Sequence, residues 1–446
     1  MVLGRRHKKR RAKRYRKARV LNNRQQARKE LAISWICGLL LVVAAFPEVA
    51  FLGATFRAND ITFHLATHIE EDVNVFPANS HRQVWHAQHD LGGAFLQSVP
   101  GMEFMRVSLQ NGESLYWNPY SACGSLGPET LVDNKFAVVN WIYALFGGGQ
   151  RVFDLLFLAS VWLAVASIHR FLRGVCNLSQ IAAWAGAAFF AFNGFSVANL
   201  GTNVTWSYYF LPPCLLACSR LLEQANPRRL VAASISVAAV LSFTFIPTTA
   251  IGLLTVVAVS ICYLLGCSER KEQLLKGLVS LFAAGIIALC LVSAIYLPIV
   301  ESILFDAADL HLLTQRQTPP PVYWTSLLSL FSSSHYYESY NAFWHSEYAA
   351  YHGLHKAYSS FHVGIVAAFF AGFALVAKHQ HNSRRFLVWG SLAIMLISFA
   401  RIFGLPGYSW LVAQIPIFGD WRAASPRPLT ATSDGTAFFR CLPGST

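Results

Sequence analysis

The residues of this chain with chemistry to offer stand in polar stretches between long apolar runs. In "GDWRAASPR", Arg422 and Arg427 emerge just after the last apolar segment. A planar guanidinium pairs well with phosphate, and arginines placed this way also serve as plain interfacial anchors. Two acids, Asp60 in "RANDITFH" and Asp90 in "HRQVWHAQHD", share one polar segment, and Asp90 could instead cap a short helix starting in "HDLGGAF". His81, His86 and His89 precede it without the tight spacing of a ligand set, so they read as solvated histidines and no metal is expected. Farther on comes "GESLYWNPYSACGSLGPETLVDNKFAVVNWIYALFGG", turn formers and aromatics that slide into an apolar run too short to cross a bilayer. Pro119 stiffens this loop, Gly124 and Gly127 allow close backbone approach, and Tyr116, Trp117 and Tyr120 suit a membrane–water interface.

The elements that must hold these loops are membrane helices. The chain is 54% hydrophobic and 13% charged, with a mean hydropathy of +0.40, more apolar than a soluble core requires. Its net charge of +14 suggests nucleic acid until the basic residues are located. Fourteen of them fall in "RRHKKRRAKRYRKARVLNNRQQARK", Arg5 to Lys29, with no acid among them. Such a tail can attract RNA or anionic lipid. Beside an apolar segment, however, it reads as the signal that keeps the N-terminus in the cytoplasm, and no nucleic-acid partner is expected.

At about 20 apolar residues per crossing, spans are expected near 31–52, 152–172, 181–198, 203–222, 230–248, 250–266, 278–300, 361–377 and 386–403. The fold class is therefore an all-α polytopic membrane protein of about nine transmembrane helices. The basic residues between spans, including Arg170, Arg173, Arg220, Arg228, Arg229, Lys276 and Arg384, all sort to the cytoplasmic side.

The expected organisation is a basic cytoplasmic tail (1–30), a first transmembrane helix (31–52) and a large extracytoplasmic loop with interfacial helices (57–151). A helix bundle (152–300), an aromatic-rich outer loop (301–360), C-terminal transmembrane helices (361–418) and an outer tail (419–446) follow. Long loops in a polytopic protein usually carry function. The cysteines form no CxxC pair and read as small buried apolar residues, Cys214 and Cys218 included. No P-loop or dinucleotide fingerprint occurs, which argues against an ATP-driven machine. Glu48 and Asp154 stand near the outer ends of their spans, and no chain of acids crosses the membrane, so coupled transport loses ground.

The order Asp90, Gln97, Pro100, then "GESLYWNPYSACG" with Trp117-Asn118-Pro119 and Gly124, resembles the YfhO-like bacterial membrane proteins of the GT-C glycosyltransferase class. "AAWAGAAFFAFNGFSVANLGTNVTWSYYFLPPCLLA" is similar to that family's small-aromatic segment and Trp-to-Pro helix, and "IPIFGDWRAASPRPL" to its outer arginine element. The resemblance runs from about residue 88 to 429.

This resemblance implies transfer of a sugar from a polyprenyl-phosphate carrier to an envelope glycan, lipid or protein on the outer face of a bacterial inner membrane. Asp90 would be the catalytic base, with Asp60 the runner-up because it lies closer to the first span. Gln97, Trp117, Asn118 and Tyr120 would line the substrate site, and Arg422 and Arg427 would hold the carrier phosphate. Beyond the lipid-linked donor no cofactor is implied. Members of the family continue with further spans, whereas this chain stops soon after Arg427, so a truncated or frameshifted product is expected. A lipid or oligosaccharide transporter and a non-catalytic assembly protein are the competing readings.

Overall fold

The computed structural model describes residues 29–56, 98–117, 134, 136–193, 196–197, 199–244, 246–267 and 271–305, with 388–390, 392–393 and 396. These residues are mostly helical, and no strand occurs among them. In chain order the helices are α1 (29–45), α2 (Val99–Asn111), α3 (Val138–Leu145), α4 (Gln150–Arg170) and α5 (Gln180–Ala191). They continue as α6 (Asn203–Glu223), α7 (Pro227–Leu241), α8 (Ile246–Cys267) and α9 (Lys271–Phe305).

Helix α1 packs along α4 in the opposite direction. Ser34, Gly38 and Val42 recur every fourth residue, so they share one face, and all three are buried. A methyl group on Gly38 would meet Trp162 at 3.4 Å and Val165 at 3.5 Å, so the missing side chain is what lets the helices close. The indole of Trp162 donates to the Trp35 carbonyl at 2.7 Å, and the two rings meet edge to face. After Pro47, which can supply no backbone N–H, the chain winds into a π turn, Glu48–Leu52, closed by Gly53 at φ 86°.

Helices α4 and α6 run parallel. Phe153 and Phe157 both touch Trp206, and Phe157 also touches Tyr209. These rings are the centre of the core, and α4 continues beyond them through a π turn, Phe171–Val175. Caps set the starts of the next elements. Ser179, Thr202 and Asn226 each accept a backbone N–H from the first turn of α5, α6 and α7. Pro227 then occupies the first position of α7, where its missing N–H costs nothing. Helix α9 lies along α7, and Tyr296 donates to the Leu241 carbonyl at 2.7 Å.

Two described helices are long and apolar enough to cross a membrane, Gln150–Val175 and Leu275–Pro298. They differ in setting: 61% of the first is buried against other helices, and 17% of the second. The expected boundaries also shift. Within the segment read as a crossing over 181–198, the first helix ends at Ala191 after about 18 Å at 1.5 Å per residue, and the chain is helical again at 196–197. Asn193 turns the chain there, with its amide nitrogen on the Phe190 carbonyl at 2.8 Å and its oxygen on the Ser196 N–H at 3.0 Å. The crossing read over 230–248 divides as well, because α7 stops at Leu241 and α8 begins at Ile246. The segment 361–377 lies outside the described residues, as does most of 386–403.

Candidate functional site

Two short helices and the turns beside them form a polar assembly at one end of the bundle. Helix α2 closes with Gly112 at φ 68°, whose N–H reaches the Ser108 carbonyl together with that of Glu113. The aromatic loop begins here. Tyr116 donates to the Ala294 carbonyl of α9 at 2.6 Å and packs its ring on Phe136, 5.1 Å between centroids. Trp117 follows and is 50% exposed.

The apolar run at the loop's far end is helical, as α3. Its first N–H is taken by the Ser242 hydroxyl at 3.0 Å, which ties it to the end of α7. Asn134, at φ 50°, presents its carbonyl to the Asn140 side chain at 3.0 Å and to the Ala137 N–H at 2.8 Å.

Helices α2 and α3 are joined through one carboxylate. Glu103 accepts the Tyr143 hydroxyl on one oxygen and Arg106 Nε on the other, the latter at 2.7 Å. Tyr143 in turn accepts the Gly149 N–H at 2.8 Å, at the threshold of α4. Glu103 also raises the Arg106 guanidinium above its ordinary pKa, first through the hydrogen bond and then through charge. Gly148 makes this junction close. It stands at φ 74°, and a Cβ there would fall 2.3 Å from Arg106 and 3.1 Å from Tyr143.

Asp154 anchors the same end. It is 2% exposed, one turn into α4, and its Oδ1 accepts the Thr55 hydroxyl at 2.8 Å and the Phe56 N–H at 2.9 Å. The chain therefore leaves α1 toward its long polar segment from a point held on α4. Above the core, Asn193 reaches the Tyr208 hydroxyl at 2.8 Å, and Thr202 reaches the Asn199 carbonyl at 2.8 Å.

Of the site residues expected from sequence, Trp117 is described and lies beside this assembly. Asp60, Asp90, Gln97, Asn118, Tyr120, Arg422 and Arg427 lie outside the described residues, as do His81, His86 and His89. Among the described residues, no group of three or more His, Cys, Asp or Glu could hold a metal ion. Cys214 and Cys218 are both buried. The Glu103–Tyr143 link was not legible beforehand. A lone acid in "GMEFMRVSLQ" was its one local sign, and its partner is forty residues away.

No family model matches this chain, and neither a curated protein nor a solved structure does.

Proposed function

We propose that the chain is a multi-pass membrane glycosyltransferase of the GT-C type, built around about nine crossings with its N-terminus in the cytoplasm of a bacterial cell. Its donor is a sugar on a polyprenyl phosphate, and its acceptor is an envelope glycan, lipid or protein at the outer face. One observation carries the reading: the Glu103–Tyr143–Gly149 junction with Trp117 exposed beside it. Enough polar structure to hold two short helices rigidly against a bundle, with an aromatic ring left uncovered, suits a pocket for an amphipathic substrate at a membrane surface. The order of Asp90, Gln97 and Trp117-Asn118-Pro119 along the same segment supports it.

In this reaction an acceptor hydroxyl oxygen attacks the anomeric carbon while Asp90 takes its proton. The bond from that carbon to the phosphate oxygen breaks, and the departing phosphate keeps the electron pair, steadied by Arg422 and Arg427. The polar assembly does not itself react. It holds both ends of the loop that carries Asn118 and Tyr120 and the first helix of the segment that carries Asp90.

The test is sugar transfer from a labelled polyprenyl-phosphate donor in membranes normalised for inserted protein. Asp90→Asn should lower turnover about 100-fold, while Arg427→Ala should raise the KM for the carrier. A full loss in Asp60→Asn with Asp90→Asn unaffected moves the base to Asp60. Normal turnover in both variants overturns the enzyme reading.

A further inference from the structure

The opposite end of the bundle gathers Arg170, Arg173, Arg220, Arg228 and Arg229 against the acids Glu30 and Glu223. Such a surplus ordinarily marks a cytoplasmic face, with the side chains extended into water. Two of these arginines depart from that pattern. Arg170 and Arg220 each stand in the last turn of a helix, α4 and α6, and each is half-buried. Because α4 and α6 run parallel, with Phe157 level with Tyr209, continuing along both brings Arg170 level with Arg220. The two guanidinium groups are close enough to repel one another.

The acids nearby have other partners as well. Glu223 is approached by Arg229 at 3.8 Å and by the Tyr263 hydroxyl at 3.2 Å, and Arg229 also donates to the Arg220 carbonyl. Glu30 lies 3.8 Å from Arg173, which donates to the Leu178 carbonyl at 2.8 Å. Among the described residues neither the Arg170 nor the Arg220 side chain makes a hydrogen bond or ion pair, although Glu223 lies close enough to attract Arg220. Beside Arg170, His169 is 1% exposed and stacked on Trp184 at 4.0 Å. Ser34 gives its one proton to the Glu30 carbonyl, so His169 Nδ1 donates to Ser34. Its Nε2 is buried with no hydrogen-bond partner among the described residues.

We propose that Arg170 and Arg220 form a binding site for a phosphate anion at this end of the bundle. Half-buried cations are costly when their counter-charge is shared, as Glu223 is between Arg220 and Arg229, and one anion between Arg170 and Arg220 relieves both their desolvation and their repulsion. Phosphate fits better than carboxylate. Its oxygens point in several directions, so forks on two different helices can each engage it, whereas a carboxylate satisfies one fork. The phosphate can arrive as a lipid headgroup or as a free ion. Leu222 on α6 packs near Gly277 of α9, and α9 exposes Leu275, Val279 and Phe282 at this same end. Acyl chains could lie there with their phosphate at the arginines. This site is independent of the transferase reading.

The experiment uses the purified full chain in phosphatidylcholine nanodiscs, with and without phosphatidic acid. Native mass spectrometry reads the lipid that the protein retains. The wild-type chain should retain phosphatidic acid over phosphatidylcholine. Arg170→Gln with Arg220→Gln should weaken that preference about tenfold or more, while Arg228→Gln, at an exposed position on the same end, should keep it. If the glutamine pair fails to fold, the pair Arg170→Lys with Arg220→Lys, which keeps the charge and removes the forks, should still show a smaller loss. A second arm follows thermal unfolding in inorganic phosphate. A shift there that the glutamine pair lacks, without lipid preference, assigns the site to a free phosphate. Equal lipid retention and equal phosphate response in the wild type and the substituted pairs, or an equal loss in Arg228→Gln, overturns the proposal in favour of diffuse surface charge.

Discussion

At one end of this bundle the buried acid Asp154 holds Thr55 and Phe56, and Glu103 takes Tyr143 on one oxygen and Arg106 on the other. At the other end Arg170 and Arg220 stand half-buried without a hydrogen bond or ion pair among the described residues, while Arg173 and Arg229 lie nearest Glu30 and Glu223. The first arrangement uses charge to fix geometry. A carboxylate that already holds two donors positions the segments that supply them. The second leaves donor capacity free. The ends therefore suit different tasks: one frames a loop, and the other receives an anion.

The largest expected contrast is topological. If the ends face opposite sides of a membrane, a cysteine introduced at Glu113, exposed beyond α2, reacts with an impermeant reagent in intact cells. One at Gly174, where a side chain meets nothing within 4 Å, reacts only after permeabilisation. Equal labelling of both in intact cells would remove the proposed orientation and the chemistry assigned to each side.

Stability should respond with opposite signs at the two ends. Asp154→Ala strands the Thr55 hydroxyl and the Phe56 N–H and should cost about 3 kcal/mol, seen as a lower unfolding temperature and faster proteolysis just beyond Phe56. Arg170→Gln, measured in detergent free of phosphate, should be neutral or stabilising by up to about 1 kcal/mol. A comparable loss in both variants would mean that the basic end is as tightly built as the other.

The smallest effect sharpens the picture within the polar end. Tyr143→Phe removes the group that links Glu103 to Gly149 and should cost about 2 kcal/mol, with faster hydrogen exchange at the Gly149 amide. An unchanged exchange rate there would show that α2 and α3 are held by packing alone, with Met102, Val139 and Tyr143 in the shared core sufficient.

Helix existence was largely legible because its causes are local. The apolar run at 152–172 became Gln150–Arg170 with its π extension, and the run at 203–222 became Asn203–Glu223. The short run Phe136 to Phe146 was expected to be a re-entrant or interfacial helix, and Val138–Leu145 is helical. The end of α5 at Ala191 was missed because Phe192, Phe195, Val197 and Ala198 continue the apolar character of the segment. The Asn193 side chain, which competes for the local backbone groups, ended it instead. Of the expected site, Trp117 is the residue the structure describes, and it is 50% exposed.

By itself the sequence determined composition, charge placement and the apolar segments that become helices, since each depends on neighbours within a few turns. It also carried the cap residues Ser179, Thr202 and Asn226, because a short polar side chain ahead of an apolar run satisfies its own backbone. Only the tertiary structure decided that Ser34 meets His169, that Thr55 meets Asp154, and that Arg170 and Arg220 come level. Those meetings depend on which face of each helix is small enough to be approached and in which direction the helices run. Gly38 against Trp162 and Phe157 against Tyr209 set that, and a pattern along one helix does not name the residue that will fill its groove from another.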